Sequence, residues 1–348
     1  MDSSLATAPQ AAEVEHMVER VLDGGELTAI EARALLEVAP GSAAYEALLA
    51  GARQVRDRFV GSTVHACSIL NAKAGSCSEN CSYCSQASGS SNMDYEKHRW
   101  MEDDDIRDAA ASAAANGAQA LGLVAAWKGV REGKQLDMIC DSVRELSQNG
   151  QIRADVNLGI LQSQHCADRL HEAGCKVYGH NLETARSFFD TTCSSHDFEE
   201  RLRTIDYVRA AGMSLCSGGI IGLGETRDQR IEFAEQLRFI QPDMIPINFL
   251  NPLEGTGLSD REPVDTDEAL TTLAVFRLFL PDRNIMVAGG KEVTFGDRLD
   301  QVLDAGVNAI MVGNYLTTLG TPSDFWFDAT TRRGLHIERE GASGGCGC

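Results

Sequence analysis

From about residue 64 onwards, short runs of β-forming residues alternate with amphipathic helical stretches, and this alternation restricts the fold more than any other feature of the sequence. A helix between successive strands is typical of βα units around a parallel sheet. Eight runs fit a strand, namely residues 64–70, 119–126, 153–158, 176–181, 213–220, 244–250, 284–288 and 308–312. The sequence therefore predicts an α/β fold, a (β/α)₈ barrel of the TIM type, with its chemistry at the carboxyl ends of the strands.

The stretches between these runs repeat their apolar residues every three to four positions, as amphipathic helices do. They cover residues 105–116, 136–148, 166–173, 198–211, 226–240, 266–279 and 295–305. The same periodicity without strand signals precedes the first strand. We therefore divide the chain into an N-terminal helical extension (residues 1–60), the barrel (61–338) and a flexible tail of glycine and cysteine (339–348).

The chain is strongly acidic, with 51 acidic and 31 basic residues and a net charge of −20. This charge repels nucleic-acid phosphates and anionic lipids, so we expect small-molecule ligands and neither nucleic-acid nor membrane partners. The sequence contains no apolar stretch of about 18 residues and no N-terminal signal pattern. These features predict a cytoplasmic protein.

Eleven cysteines in a reducing compartment indicate metal ligands, catalytic thiols or core residues rather than disulfides. Three of them, Cys77, Cys81 and Cys84, follow the first predicted strand with the spacing CxxxCxxC. A [4Fe–4S] cluster usually takes four thiolates, so three on one loop hold three irons and leave the fourth open to a ligand. A structural zinc site is the alternative, but it needs four closed ligands and no further Cys or His lies nearby at zinc-finger spacing.

With this spacing the sequence resembles the radical S-adenosylmethionine (SAM) enzymes, and further motifs narrow the resemblance to the biotin synthases over residues 64–318. The motifs are Cys67-Ser-Ile-Leu-Asn-Ala-Lys-Ala-Gly-Ser-Cys77, Tyr83-Cys84-Ser-Gln86, Ala125-Ala-Trp127-Lys128, Tyr178-Gly-His-Asn181-Leu-Glu183-Thr184, Cys216-Ser-Gly-Gly-Ile-Ile-Gly-Leu-Gly-Glu225, Pro246-Ile-Asn248 and Gly313-Asn-Tyr-Leu-Thr-Thr318. The resemblance implies that Cys77, Cys81 and Cys84 are the catalytic residues that hold a [4Fe–4S] cluster. SAM would bind its open iron and yield a 5′-deoxyadenosyl radical that abstracts hydrogen from an unactivated carbon.

The resemblance also implies contacts to SAM. It places Tyr83 near the adenine, the Glu183 carboxylate on the ribose hydroxyls and the Arg201 guanidinium on the SAM carboxylate. A loop aromatic over the core and an exposed helix arginine are the alternatives for Tyr83 and Arg201. The turn after the fifth strand would contact the adenosine through three further residues, Gly222, Gly224 and Glu225.

For the substrate, the resemblance implies dethiobiotin, whose ureido ring would face the amides of Asn181 and Asn248. Asparagines satisfied within the core are the alternative. The implied reaction abstracts hydrogen from two carbons of dethiobiotin and inserts sulfur between them, with an electron donor such as flavodoxin or ferredoxin. His180 and Trp127 are expected to be packing residues.

The chain departs from the family at its second cluster. The familiar biotin synthases hold a [2Fe–2S] cluster, understood as the sulfur donor, with cysteines on strands two, three and five and an arginine on strand seven. The corresponding residues here are Gly122, Asp155, Cys216 and Met286. Only Cys216 remains, so a [2Fe–2S] cluster of the familiar ligation is not available.

Two features compensate in our hypothesis. Cys67 lies on the first strand and is expected to point into the barrel near Cys216, although a buried structural cysteine is the alternative. The chain also carries Cys346-Gly-Cys348, and the ten residues from His336 to Cys346 span at most about 33–36 Å. We predict that Cys67, Cys216, Cys346 and Cys348 hold a second iron–sulfur cluster of unknown type that supplies or activates the sulfur. A disordered end or adventitious metal binding is the alternative for the tail.

Two competing functions stay open at this point. One is a biotin-synthase-like radical SAM enzyme that acts on another substrate without sulfur insertion, and the other is a non-enzymatic iron–sulfur carrier or sensor. The sequence also leaves a homodimer open. The remaining cysteines have no partners at ligand spacing and are expected to be structural: Cys140, Cys166, Cys175 and Cys193.

Overall fold

Eight parallel strands close into a barrel in the part of the chain that the computed structural model describes, residues 7–91 and 95–337. The strands in chain order are β1 (Thr63–Lys73), β2 (Ala120–Ala125), β3 (Gly129–Val130), β4 (Arg153–Asn157), β5 (Ile160–Leu161), β6 (Val177–Gly179), β7 (Ser214–Cys216), β8 (Gly219–Ile221), β9 (Met244–Phe249), β10 (Asn284–Val287), β11 (Ala309–Met311) and β12 (His336–Ile337). The ring runs β1-β2-β4-β6-β7-β9-β10-β11 and returns to β1. All eight predicted runs are barrel strands, which confirms the (β/α)₈ prediction.

The register of the ring brings residues from distant parts of the chain to one level. Cys67 of β1 lies opposite Ala120 of β2 on one side and Met311 of β11 on the other. Cys216 of β7 lies opposite Met244 of β9. Because side chains alternate between the two faces of a strand, this register decides which residues share the barrel interior.

One predicted strand, residues 213–220, is interrupted. β7 ends at Cys216 and β8 begins at Gly219, and both pair with β9. At the interruption, a Cβ on Gly218 would lie 2.0 Å from the Pro246 carbonyl oxygen. Only glycine allows the two backbones to approach this closely.

Helices surround the ring. They are α1 (Ala11–Leu22), α2 (Ala29–Leu35), α3 (Ala43–Phe59), α4 (Asp103–Ala115), α5 (Lys134–Asn149), α6 (Gln164–Glu172), α7 (Arg186–Phe189), α8 (Phe198–Ala210), α9 (Arg227–Ile240), α10 (Thr266–Phe279), α11 (Lys291–Phe295) and α12 (Ser323–Arg332), with a 3₁₀ helix at Gly296–Leu303. Side chains cap several of them, and at α8 Asp197 accepts from Glu200 N in a capping box. Such caps satisfy N–H groups that the helix itself leaves without a partner.

The first three helices precede the barrel and pack on its outside. A Cβ on Gly51 of α3 would lie 2.3 Å from Val18 of α1, so the two helices cross at very close range. Tyr45 of α3 donates to Asp267 of α10 at 3.0 Å, which fastens these helices to the barrel layer. Apolar residues of α1 to α3 belong to the same core as those of the barrel. The proposed boundaries between extension, barrel and tail stay predictions.

The prediction of an α-helix over residues 295–305 is wrong, because most of this segment is a 3₁₀ helix. The segment holds a short α-helix, α11, followed by the 3₁₀ helix. Gly296 has a left-handed φ of +49° between the two. A left-handed residue cannot continue an α-helix, so the hydrogen-bond pattern changes there.

Within residues 7–91 and 95–337, no helix has both the length and the apolar character needed to cross a membrane.

Candidate active site

The loop that carries the three cysteines leaves β1 at the carboxyl end of the barrel. Gln86, which is buried, fastens it: its Oε1 accepts from Gly75 N at 2.8 Å and from Asn71 Nδ2 at 3.3 Å. Within the loop, Cys84 N donates to Cys81 O at 3.1 Å. Burial raises the pKa of Cys84 to about 11. This thiol therefore keeps its proton at neutral pH unless a metal displaces it.

The sulfur groups of this loop are available for ligation. Cys77, Cys81 and Cys84 are partly buried and none of them is in a disulfide. Tyr83 lies between the last two, and its hydroxyl is near enough to the Glu183 carboxylate to lower the pKa of that group. Burial raises the pKa of Tyr83 well above its usual value, so the hydroxyl keeps its proton at neutral pH.

A buried ion pair lies beside the cysteine loop. Glu183 follows β6 with a left-handed φ of +72°, held by bonds from its N–H to Gly218 O at 3.1 Å and from Ile220 N to its carbonyl at 2.7 Å. Arg201 of α8 donates from Nη1 to Asn181 O at 2.8 Å, and the same nitrogen lies 3.7 Å from Glu183 Oε1. Arg201 is only 7% exposed, so the alternative of an exposed helix arginine is wrong. Burial raises the pKa of Glu183.

The turn after β8 is closed by its own carboxylate. Gly222 and Gly224 have left-handed φ angles of +97° and +111°. The Glu225 carboxylate accepts from Gly222 N at 2.9 Å, from Gly224 N at 3.1 Å and from Arg230 Nε at 2.8 Å. Glu225 thus fixes the shape of the turn. Contact of these residues with a cofactor stays a prediction.

The two predicted substrate residues line one cavity of about 330 Å³ inside the barrel mouth. Asn181 Oδ1 accepts from Gly218 N at 3.1 Å. Asn248 Nδ2 donates to Gly219 O at 3.1 Å, and its Oδ1 accepts from Gly289 N at 2.8 Å. A carboxamide has two N–H groups and two acceptor lone pairs, so both side chains retain capacity for a ligand.

His180 lines the same cavity and is 4% exposed. Its Nε2 is buried and has no hydrogen-bond partner among the described residues. Burial lowers the pKa of His180 well below its usual value, so the ring is neutral. A buried ring nitrogen left without a partner is a feature that packing does not explain.

Deeper in the barrel, the cavity is lined by Cys67 and Cys216, neither of which is in a disulfide. They pack with three methionines from neighbouring strands: Met244, Met286 and Met311. The structure therefore brings together two of the four residues predicted to hold a second cluster. The other two, Cys346 and Cys348, lie outside the described residues.

The positions that lack the familiar ligands face this cavity as well. Gly122 of β2 lies opposite Asp155 of β4, and Asp155 is 9% exposed. Arg153 donates to both Asp155 oxygens, at 2.9 Å each. Burial raises the pKa of Asp155, while the ion pair opposes that shift. A carboxylate–guanidinium pair thus lies on strand β4, where the family carries a cysteine on its third strand.

The sequence interpretation of Cys193 as a structural cysteine without partners is wrong. Its sulfur lies 3.7 Å from Cys81 Sγ and 3.3 Å from His196 Nδ1. His196 Nδ1 in turn lies 2.5 Å from Glu79 Oε2. The short spacing between Cys193 and His196, together with an acidic residue inside the CxxxCxxC motif, was the signal available in the sequence.

A third segment, the loop after β11, completes the rim. Thr317 Oγ1 and Ser85 Oγ of the cysteine loop are 3.0 Å apart. Tyr315 holds this loop in place by accepting a hydrogen bond from the fully buried Lys291. The Lys291 Nζ also lies 3.0 Å from Glu292 Oε1. No sequence motif pointed to Lys291.

Two family profiles match the chain. The radical SAM superfamily matches residues 73–237, and the Biotin and Thiamin Synthesis associated domain matches residues 246–336. A biotin synthase of Geobacter sulfurreducens is 41% identical over 325 residues, which are 93% of this chain and 98% of that protein. A biotin synthase of Syntrophotalea carbinolica is 39% identical over 327 residues, 94% and 99% of the two chains. The chain belongs to the biotin synthases.

Membership of the biotin synthases confirms the family indicated by the motifs, and it makes the protein a radical SAM enzyme. It does not favour either competing function, the enzyme without sulfur insertion or the iron–sulfur carrier. Among solved structures, methylornithine synthase aligns with a TM-score of 0.78 and 17% identity, covering 93% of this chain and 97% of that one. A maturase of the [FeFe]-hydrogenase aligns with a TM-score of 0.79 and 16% identity, covering 95% and 76%. At these identities the two neighbours support the fold alone.

Proposed function

We propose that this member of the biotin synthases is a cytoplasmic sulfurtransferase that converts dethiobiotin to biotin by inserting sulfur between two carbons. The observation that carries the proposal is the meeting of three groups of residues at one site. The Glu183–Arg201 pair and the Asn181 amide line the 330 Å³ cavity, and Cys84 and Tyr83 line a second cavity of about 250 Å³. The two cavities share lining residues: Ile69, Asn248, Met311 and Leu316.

The residues fit the two groups that the chemistry requires. Cys77, Cys81 and Cys84 offer three thiols on one loop, the donor set for three irons of a [4Fe–4S] cluster. Arg201 Nε is buried and has no hydrogen-bond partner among the described residues, which fits a side chain whose partner is the SAM carboxylate. Cluster and SAM together supply hydrogen abstraction from an unactivated carbon.

The chain's own task is to bind and orient. In the proposal, Arg201 pairs with the SAM carboxylate and Glu183 accepts the ribose hydroxyls, while Tyr83 covers the adenine. The positive charge of Arg201 keeps the raised pKa of Glu183 from rising further. Gly222, Gly224 and Glu225 shape the turn beside the adenosine: the two glycines permit its backbone to approach, and the carboxylate holds it.

The substrate role of the two asparagines follows from complementarity. The ureido ring of dethiobiotin presents N–H donors and a carbonyl acceptor, and Asn181 and Asn248, which line the same cavity, each offer both functions. Their backbone hydrogen bonds hold the amides in place before a substrate arrives. His180 Nε2 adds a neutral ring nitrogen to the same wall.

We propose a second iron–sulfur cluster, held by Cys67, Cys216, Cys346 and Cys348, as the source of the inserted sulfur. Supporting this, Cys67 and Cys216 line one cavity. Ile337, the last described residue, pairs with Val64, three positions before Cys67 on the same strand. The nine residues from Ile337 to Cys346 extend at most about 30–32 Å, enough to reach that level of the barrel.

The second cluster has its own test. The double variant Cys346→Ser/Cys348→Ser should lose part of its iron and sulfide and form no biotin, while it still cleaves SAM. If that variant keeps full iron, sulfide and biotin formation, the tail cysteines are not ligands. Flavodoxin or ferredoxin as electron donor and a homodimer are part of the proposal and need separate binding and mass measurements.

The function is tested with anaerobically reconstituted protein, dethiobiotin, SAM and a strong reductant, with the products followed by mass spectrometry. We expect biotin and 5′-deoxyadenosine from the wild type, and neither from the Cys84→Ala variant. The Cys166→Ala variant is the matched control, because Cys166 is a buried cysteine of α6, away from the cysteine loop. Deoxyadenosine without biotin from fully loaded wild type would refute the assigned substrate.

A further inference from the structure

The segment between α7 and α8 packs directly against the cysteine loop. Ser82 N donates to Thr192 O at 2.9 Å, and Asn80 N donates to Ser195 Oγ at 3.1 Å. This packing brings Cys193 Sγ to 3.7 Å from the sulfur of Cys81, although the two are 112 residues apart in the chain. Cys193 is 4% exposed, so its polar contacts are made within the protein.

The surroundings of Cys193 orient its thiol. On one side its sulfur lies 3.3 Å from His196 Nδ1 and 3.4 Å from Ser195 Oγ. The protons of these two groups point to Glu79 Oε2, at 2.5 and 2.8 Å, so they do not serve Cys193. On the other side lies Asn80 Oδ1, at 3.4 Å, which already accepts two backbone N–H bonds at 3.1 Å each. The Cys81 sulfur, at 3.7 Å, is a further group in reach. As a metal-bound thiolate it has no proton to donate and carries negative charge, which makes it a stronger acceptor than a neutral amide or hydroxyl oxygen.

Three of these residues are also possible metal ligands by type: Glu79, Cys193 and His196. The geometry argues for hydrogen bonding instead. Two ligand atoms on one tetrahedral zinc, at bonds of about 2.0–2.2 Å, lie about 3.3 Å apart. Glu79 Oε2 and His196 Nδ1 are 2.5 Å apart, a direct hydrogen bond. Glu79 therefore accepts from His196 and Ser195, and Cys193 packs between these two residues and Cys81.

We propose that Cys193 is a positioning residue whose S–H donates a hydrogen bond to the Cys81 sulfur and thereby raises the reduction potential of the cluster on that loop. A hydrogen bond to a ligand sulfur stabilises the more negative, reduced cluster. His196 and Ser195 contact the Cys193 sulfur at 3.3 and 3.4 Å and so fix its position beside Cys81. This inference rests on the proposed function, because it requires Cys81 to be a cluster ligand.

The test is the midpoint potential of the SAM-binding cluster, measured by EPR during reductive titration of reconstituted enzyme. The signal is identified as the one that changes when SAM is added. Cys193→Ala should lower the potential, and Cys193→Ser, which keeps an O–H donor, should restore most of it. Cys166→Ala, the same change at a buried cysteine of α6, should leave the potential unchanged. Iron per chain should be equal in all four proteins.

Two results would overturn the inference. One is a fully loaded Cys193→Ala variant with the wild-type potential. The other is a zinc or extra iron atom in the wild type that Cys193→Ala lacks, since Cys193 would then be a metal ligand.

Wild-type enzyme gives a second reading that does not depend on folding or loading of a variant. Pulsed EPR in H₂O and D₂O should detect an exchangeable proton coupled to the cluster, and its absence would refute the hydrogen bond. Failure of the cluster assignment is distinguishable from these results, because the wild type would then show no SAM-sensitive cluster signal at all. Failure of the assigned substrate alone would leave that signal and these results unchanged.

Discussion

Arg201 Nη1 lies 3.7 Å from Glu183 Oε1, with the Arg201 side chain buried and the Glu183 side chain 14% exposed where the two line the cavity. Arg201→Lys keeps the charge but loses the planar fork that binds a carboxylate through two nitrogens. A hydrogen bond to a charged group contributes about 1.5–3 kcal/mol, so SAM should bind about 10- to 100-fold more weakly in an equilibrium binding measurement. Arg203→Lys, on the exposed side of the same helix, should bind SAM as the wild type does. Equal losses in both variants would contradict the assignment.

Asn248 offers a separate test of the substrate side. Asn248→Asp keeps an acceptor for Gly289 N–H but has no N–H to donate to a ureido carbonyl. The KM for dethiobiotin should rise about tenfold or more, because a buried polar group of the substrate loses its partner. SAM binding should not change. Asn116→Asp, an exposed control at the end of α4, should leave the KM unchanged, and an unchanged KM in Asn248→Asp would remove Asn248 from the substrate site.

Gly218 lies between β7 and β8, where the backbone comes very close to β9. A Cβ there would lie 2.0 Å from the Pro246 carbonyl oxygen, and a backbone atom in a central strand cannot yield. Gly218→Ala should lower the free energy of unfolding by about 3 kcal/mol or more, a cost in the range of severe core substitutions. Gly89→Ala is the control, since nothing lies within 4 Å of its added Cβ. Equal thermal midpoints for the two variants would show that the strand can shift at no cost.

Asp267 predicts a pH dependence of stability. The hydrogen bond from Arg298, with a smaller one from Tyr45, lowers the pKa of Asp267. A lowered pKa stabilises the fold above the unfolded value of about 3.9, and this stabilisation is lost as the pH falls through the folded value. Because both ionic side chains are partly exposed, the effect is about 0.5–1 kcal/mol.

In urea unfolding, Asp267→Asn should be less stable than the wild type at pH 7 and pH 5, and the difference should narrow at pH 3.5. A difference that grows towards acid pH would reverse the assigned sign. The exposed Asp206→Asn change on α8 should give no difference at any of the three pH values.

Strands and their order were predictable because each barrel strand is a short apolar run between amphipathic helices, a periodicity that the sequence carries locally. The 3₁₀ helix at Gly296–Leu303 was not predictable from the sequence. It follows from one residue with a left-handed φ, Gly296, inside an otherwise helical pattern. The cysteine loop was equally predictable, since its ligand spacing is contained within eight residues. Gly122 and Asp155 were assigned strand by strand from the resemblance to the family, and the register of the barrel places them opposite each other.

The Cys193 contact could not be predicted from spacing alone. It depends on how the segment after α7 folds back onto a loop 112 residues earlier. The burial of Lys291 could not be predicted for a similar reason. Lysines are usually exposed, and the complete burial of this one depends on the packing of Tyr315 and Trp326 over it.

The central claim is sulfur insertion into dethiobiotin with a protein-bound cluster as the sulfur source. It is tested most directly by reconstituting the enzyme with iron and ³⁴S-sulfide, adding unlabelled dethiobiotin, SAM and reductant, and measuring the mass of the product. The account predicts ³⁴S-biotin together with 5′-deoxyadenosine. Deoxyadenosine without any biotin, from protein shown to hold its full iron and sulfide, would contradict it.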